Sequence, residues 1–222
     1  MNWANKILNY HFNLHSDLNL PHGVHWLYPY QGLETQKCMR AFYEKYYKDK
    51  TKRSLILGIN PGRFGAGVTG VPFTDPIRLE TECGIKNNFL KRQELSSVFV
   101  YDLIHTFGGC GAFYKQMYIS ALCPLGFIKD NKNYNYYDNP ALMIVVEPFI
   151  ISHLEAQIAF GVKTERVYCL GQGKNFQYLE KLNSEHHFFQ EIIPLPHPRW
   201  VMQYRLKKKQ EYMQMYLSAF GK

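Results

Sequence analysis

Short apolar runs, each cut off by glycine or proline, alternate along the chain with stretches of helical periodicity. Ser54-Leu55-Ile56-Leu57-Gly58-Ile59 is an apolar run of strand length, stopped by Asn60-Pro61-Gly62. A run without polar alternation suits a strand of a parallel sheet buried on both faces. Met117 to Leu122, ended by Pro124, and Arg166 to Leu170, ended by Gly171-Gln172-Gly173, read as further strands. Phe188 to Ile193, before Pro194, Pro196 and Pro198, reads as a fourth. Helices are expected over 4–16, 33–48, 96–107, 174–183 and 200–219, the last carrying the basic run Arg205 to Lys209. Asp138-Asn139-Pro140 starts another, with a capping side chain before a first-turn proline. It runs towards Phe160, kinked or broken near Pro148. Pro21 to Tyr30 reads as loop.

This alternation predicts an α/β fold, a three-layer α/β/α sandwich around a central, mostly parallel four-stranded sheet. The 222 residues fit one domain spanning the chain. In such sheets ligands bind beyond the carboxyl ends of the strands. That brings Asn60, Gly171 and His197 to one crevice.

Composition narrows the partners. At 46% hydrophobic and 20% charged, the chain is globular, not disordered. The net charge of +8, with 17 Tyr, 15 Phe and 3 Trp, suits a polyanion whose bases stack on rings, and also fits an ordinary basic enzyme. Five widely spaced cysteines without C-x-x-C point to reduced thiols in a cytoplasmic protein, not to a disulfide framework or a metal site. The N-terminal sequence lacks a signal-peptide pattern. The apolar run Ala141 to Ile151, interrupted by Glu147 and Pro148, is too short to span a bilayer.

Two segments carry candidate chemistry. From Gly58 to Gly70 come five glycines, which allow close backbone approach to a ligand. The loop has Asn60 at the strand tip and Phe73 at its far end. An amide can orient water, and a ring can stack on a base. No Walker sequence or dinucleotide fingerprint is present. In Leu195-Pro196-His197-Pro198-Arg199-Trp200, prolines stiffen the backbone around an imidazole able to act as donor, acid or base. No Gly-x-Ser-x-Gly elbow or His-Glu-x-x-His occurs.

Gly58-x-Asn60-Pro61-Gly62-x-Phe64-Gly65, followed by Thr69-Gly70-Val71-Pro72-Phe73, resembles the first motif of the SMUG-type uracil-DNA glycosylases. His197-Pro198 with Arg199 resembles their second motif, and Leu122-Cys123-Pro124-Leu125 and Val167 to Gly173 match in order between the two. The resemblance covers Tyr28 to Trp200 and is strongest to the divergent bacterial SMUG2-like branch. It implies that Asn60 positions the attacking water and His197 stabilises the departing base. Ile59, Gly62 and Phe73 would form the base pocket. Arg63, Gly171 and Gly173 would contact DNA, and Arg199, Trp200, Val201, Met202, Gln203, Tyr204 and Arg205 would form the wedge that fills the gap in the strand. One departure stands out: where the family reads the base edge with an asparagine, this chain has Ala121, preceded by Ser120. The resemblance thus implies a changed or widened substrate range, xanthine included, with Ser120 as a partial reader.

The expected function is a monofunctional DNA glycosylase of base excision repair, monomeric and without metal or cofactor. It would act on single-stranded or duplex DNA in a bacterial cytoplasm, at the nucleoid, not at a membrane. The alternatives are a non-catalytic single-stranded-DNA-binding module of the same fold and a nucleotide or nucleoside hydrolase.

Overall fold

The computed structural model describes residues 1–222. The strands β2 (Arg53–Gly58), β3 (Met117–Ala121), β6 (Val162–Leu170) and β7 (Glu191–Leu195) form one sheet in the order β3-β2-β6-β7, parallel throughout. Leu55, Ile56 and Leu57 of β2 are buried, as their unbroken apolar run requires of a strand covered on both faces. Helices flank the sheet: α6 (Gly109–Gln116) packs on β2 and β3, and α7 (Pro140–Phe160) and α8 (Lys174–His186) pack on β6. The result is the expected three-layer α/β/α sandwich. At the amino end of β2, the fully buried Arg53 donates to the carbonyls of Tyr114, Thr51 and Tyr46 and pairs with both Asp49 oxygens. That end is a structural anchor, opposite the glycine loop.

Several elements depart from the sequence expectation. Residues 21–30 are not simply loop: β1 (His25–Leu27) joins β4 (Gly126–Lys129) and β5 (Lys132–Tyr134) in a second, antiparallel sheet ordered β1-β4-β5. β4 and β5 are joined by Asp130-Asn131, both at positive φ, the signature of a two-residue primed turn. β7 begins and ends later than expected and includes Pro194, which its position at the sheet edge tolerates. The expected terminal helix is two, α9 (Pro198–Tyr204) and α10 (Lys209–Ala219), separated by a 3-10 turn.

α7 is not broken at Pro148; it continues for 21 residues. The missing N–H deprives the Ile144 carbonyl of its helical partner, and Ile144 is solvent-exposed, where water can serve. By length and composition alone α7 is apolar enough to cross a membrane, unlike the shorter run read from the sequence. Its Leu142, Val146, Ile150, His153, Leu154 and Phe160 are buried instead in this fold's core.

Candidate active site

Beyond the carboxyl ends of β2 and β3 lies a cleft of about 620 Å³. Asn60, Phe73, Ala121 and His197 all line it, so the fold joins segments far apart in the chain. Its charged lining is Arg63, Lys132 and Arg199 against a single carboxylate, Glu94. That excess of positive charge suits a polyanion.

Asn60 lies two residues beyond the end of β2, and its amide is fixed from both ends. Nδ2 donates to the Tyr134 carbonyl at 3.3 Å, and Oδ1 accepts the Tyr136 N–H at 3.3 Å. These partners settle which end is oxygen. One lone pair of Oδ1 remains for a water. Phe73 holds φ at +52°, a region a bulky side chain adopts at an energetic cost. Its ring lies against Gly58, where a Cβ would come within 2.9 Å of Cε2. A side chain at position 58 would therefore displace the ring from the cleft wall.

His197 caps α9. Its Nδ1 accepts the Arg199 backbone N–H at 3.2 Å, which leaves the ring proton on Nε2. Burial, reinforced by the nearby Arg199 charge, pushes its pKa down to about 4. The ring is thus a neutral donor, 5.9 Å from the Phe73 ring centroid. From α10, the Tyr216 hydroxyl donates to the Pro196 carbonyl and ties down the preceding loop.

Among the other expected site residues, Ile59, Gly62, Arg63, Ser120, Arg199, Trp200, Gln203 and Tyr204 line the cleft. Gly171 and Gly173 line a smaller hollow beside it, shared with Pro196, His197 and Trp200. One expectation needs correction. Val201 is fully buried, so it is not placed as a DNA wedge; Met202 is half-buried and packs in part against the core. The Ser120 hydroxyl lies 3.3 Å from His153 Nε2, and Tyr10 and Gln157 meet Nδ1 of the same ring. Ser120 nonetheless lines the cleft, next to Ala121. Arg205 is exposed outside the cleft, its guanidinium 4.9 Å over the Trp200 ring. In the basic run, Lys208 pairs with Glu211 and Lys209 with Asp102, as on a solvated helix face.

The sequence reading missed Glu94, the residue before α5 (Leu95–Phe107). Its carboxyl fills the space beside the glycine loop: a Cβ on Gly65 would lie 1.9 Å from Oε2. Part of the loop's glycine content therefore makes room for a side chain, not a ligand. Burial, with Asp75 adding repulsion and Arg199 opposing, raises the Glu94 pKa to about 7. Because the folded value exceeds the unfolded one near 4.5, the linked stability is complete below pH 4.5 and lost as pH rises through 7. Glu94→Gln, which cannot ionise, is expected to be more stable than wild type by about 2 kcal/mol at pH 8.5 and to show no such gain at pH 4. Urea unfolding at the two pH values measures this; an equal effect at both would refute it.

The comparisons with known proteins agree with this geometry. The family model described as the uracil DNA glycosylase superfamily matches residues 44–221. The chain belongs to the uracil DNA glycosylase superfamily. The crystal structure of wild-type Pedobacter heparinus SMUG2 is similar to this glycosylase over 100% of this chain and 97% of that one, at 47% identity and a TM-score of 0.96. No curated protein matches it. The glycosylase is thus SMUG2-like, and its partner is DNA.

Proposed function

We propose that this glycosylase is monofunctional and releases a deaminated base, uracil and also xanthine, from DNA as the first step of base excision repair. The observation that carries the proposal is the neutral His197, fixed as an Nε2–H donor, sharing one cleft with an Asn60 amide that keeps one free lone pair. Hydrolysis of an N-glycosidic bond leaves positive character on the sugar and negative charge on the base. A fixed donor aimed at the base stabilises that charge without a covalent nucleophile. Asn60 orients a water for the sugar carbon; an amide is too weak a base to do more. Phe73 offers a ring face to a base turned out of its stack. Ala121, too short to hydrogen-bond, leaves room and no amide requirement at the base edge, which supports the wider substrate range.

The test is base release from single-stranded and duplex oligonucleotides carrying one uracil, xanthine or hypoxanthine, read as strand cleavage after alkali. Release of uracil and xanthine is expected, with Ala121→Asn changing their ratio. An unchanged ratio would refute the specificity argument. DNA binding without release of any of the three would favour a non-catalytic module. Lys132 is an amine on the cleft rim, so borohydride trapping checks the monofunctional assignment; a trapped protein–DNA adduct would overturn it.

A further inference from the structure

The far wall of the cleft holds an imidazole that the reaction as described does not use. His11 sits in the last turn of α1 (Trp3–Phe12), outside the residues matched by the family model. It is 5% exposed and lines the cleft together with Tyr30, Ser120, Ala121 and Pro124. Its Nδ1 lies 2.8 Å from the Ile7 carbonyl oxygen. A carbonyl only accepts, so Nδ1 carries the proton and Nε2 is a bare lone pair. Nε2 has no protein partner. The one buried side-chain polar atom sealed away without a partner is Gln157 Oε1, so Nε2 reaches open space, and the open space His11 borders is the cleft. Burial pushes the His11 pKa down to about 4, which keeps the acceptor bare at neutral pH.

The ring cannot easily turn away. Tyr30 meets it edge-on at 4.7 Å and Tyr10 at 5.1 Å. Tyr30 in turn donates to the Pro124 carbonyl at 2.8 Å, and Tyr10 to His153, the ring that also braces Ser120. The lone pair is thus held in register with the end of β3, the part of the wall that carries Ala121.

We propose that His11 is a specificity-determining residue whose Nε2 accepts the ring N–H on the Watson–Crick edge of the bound base. Uracil, hypoxanthine and xanthine carry a proton on that ring nitrogen. Cytosine and adenine have a lone pair there, which would face the lone pair of His11 and leave both unpaired. One neutral acceptor thereby separates deaminated bases from parent cytosine and adenine; guanine and thymine, which keep the N–H, must be excluded by other parts of the pocket. This rests on the base-releasing function proposed above.

Two measurements test it. Loss of one buried hydrogen bond implies a fall in kcat/KM on uracil DNA of about 10- to 100-fold for His11→Ala, with affinity for undamaged DNA unchanged. His11→Gln, whose amide can turn either its oxygen or its NH₂ inward, is expected to keep uracil release and to gain detectable cytosine release. Unchanged uracil kinetics in His11→Ala, or a folded and active His11→Gln that still rejects cytosine, would overturn the assignment. Wild-type protein with ¹⁵N-labelled histidine gives a check that no folding defect can confuse. Adding an oligonucleotide with non-hydrolysable 2′-fluorodeoxyuridine should shift the His11 Nε2 resonance upfield; no shift in a saturated complex would refute the contact. If wild type binds such DNA but releases no deaminated base, the enzymatic reading fails and this one with it. If wild type is active and only the His11 results disagree, this inference alone fails.

Discussion

His197→Asn is expected to lower the rate constant for base release about 10²- to 10³-fold, the cost of removing one oxyanion donor, with KM and melting temperature close to wild type. Two roles meet in this side chain, and the substitution separates them. Nδ1 accepts the Arg199 N–H and caps α9, while Nε2–H faces the cleft. Asparagine is a good cap, so the helix start survives, but its shorter amide cannot place a donor where Nε2 stood. His197→Ala loses both roles and should add a stability loss of about 1 kcal/mol. The pH profile gives a second check. With a pKa near 4, the ring is neutral across the physiological range and gains a proton only as pH falls through that value. A neutral imidazole as electrophile does not need to be charged to act. Base release by wild type should therefore show no loss with a midpoint near 6.5. A loss as pH rises through that value, removed by His197→Asn, would mean that the imidazolium is the active form.

How the site reads from sequence depends on what holds each part in place. Asn60 and His197 were legible because each follows an apolar strand stopped abruptly by proline or glycine, and a parallel sheet sends such ends to one edge. Glu94 and His11 were not. Each belongs to a helix end with no local sign of a cleft, and only tertiary packing turns it inward. The antiparallel sheet was missed because its strands are three or four residues long, too short for a clear alternation. Asp130-Asn131 was the available signal, a pair that tolerates the two positive φ angles of a tight hairpin. The split between α9 and α10 has neither glycine nor proline to mark it; Arg205 to Lys208 simply continue a polar stretch. Val201 is buried because α9 packs its inner side against α5, a tertiary contact that no local pattern announces.

That small hairpin bears on the largest effect expected in the molecule. Asn60→Ala should reduce the rate of base release by about 10²- to 10⁴-fold, the range for a group that positions and assists a proton-bearing reactant. The amide owes its aim to the main chain at and just past the end of β5: Tyr134 O takes its N–H and Tyr136 N–H takes one lone pair of its oxygen. Alanine removes the water's acceptor and also leaves those two backbone groups without their partner. The loss in activity should exceed any loss in stability, which the melting temperature records. Asn60→Asp separates aim from basicity. The new oxygen would meet the Tyr134 carbonyl oxygen where an N–H stood, so the carboxylate is repelled in the native orientation. If aim is what matters, the aspartate variant stays slow at neutral pH despite being the stronger base, and its rate rises as pH falls, when the protonated carboxyl can donate to the Tyr134 carbonyl as the amide does. A variant as fast as wild type at pH 7 would show that the amide's fixed orientation contributes nothing to the reaction.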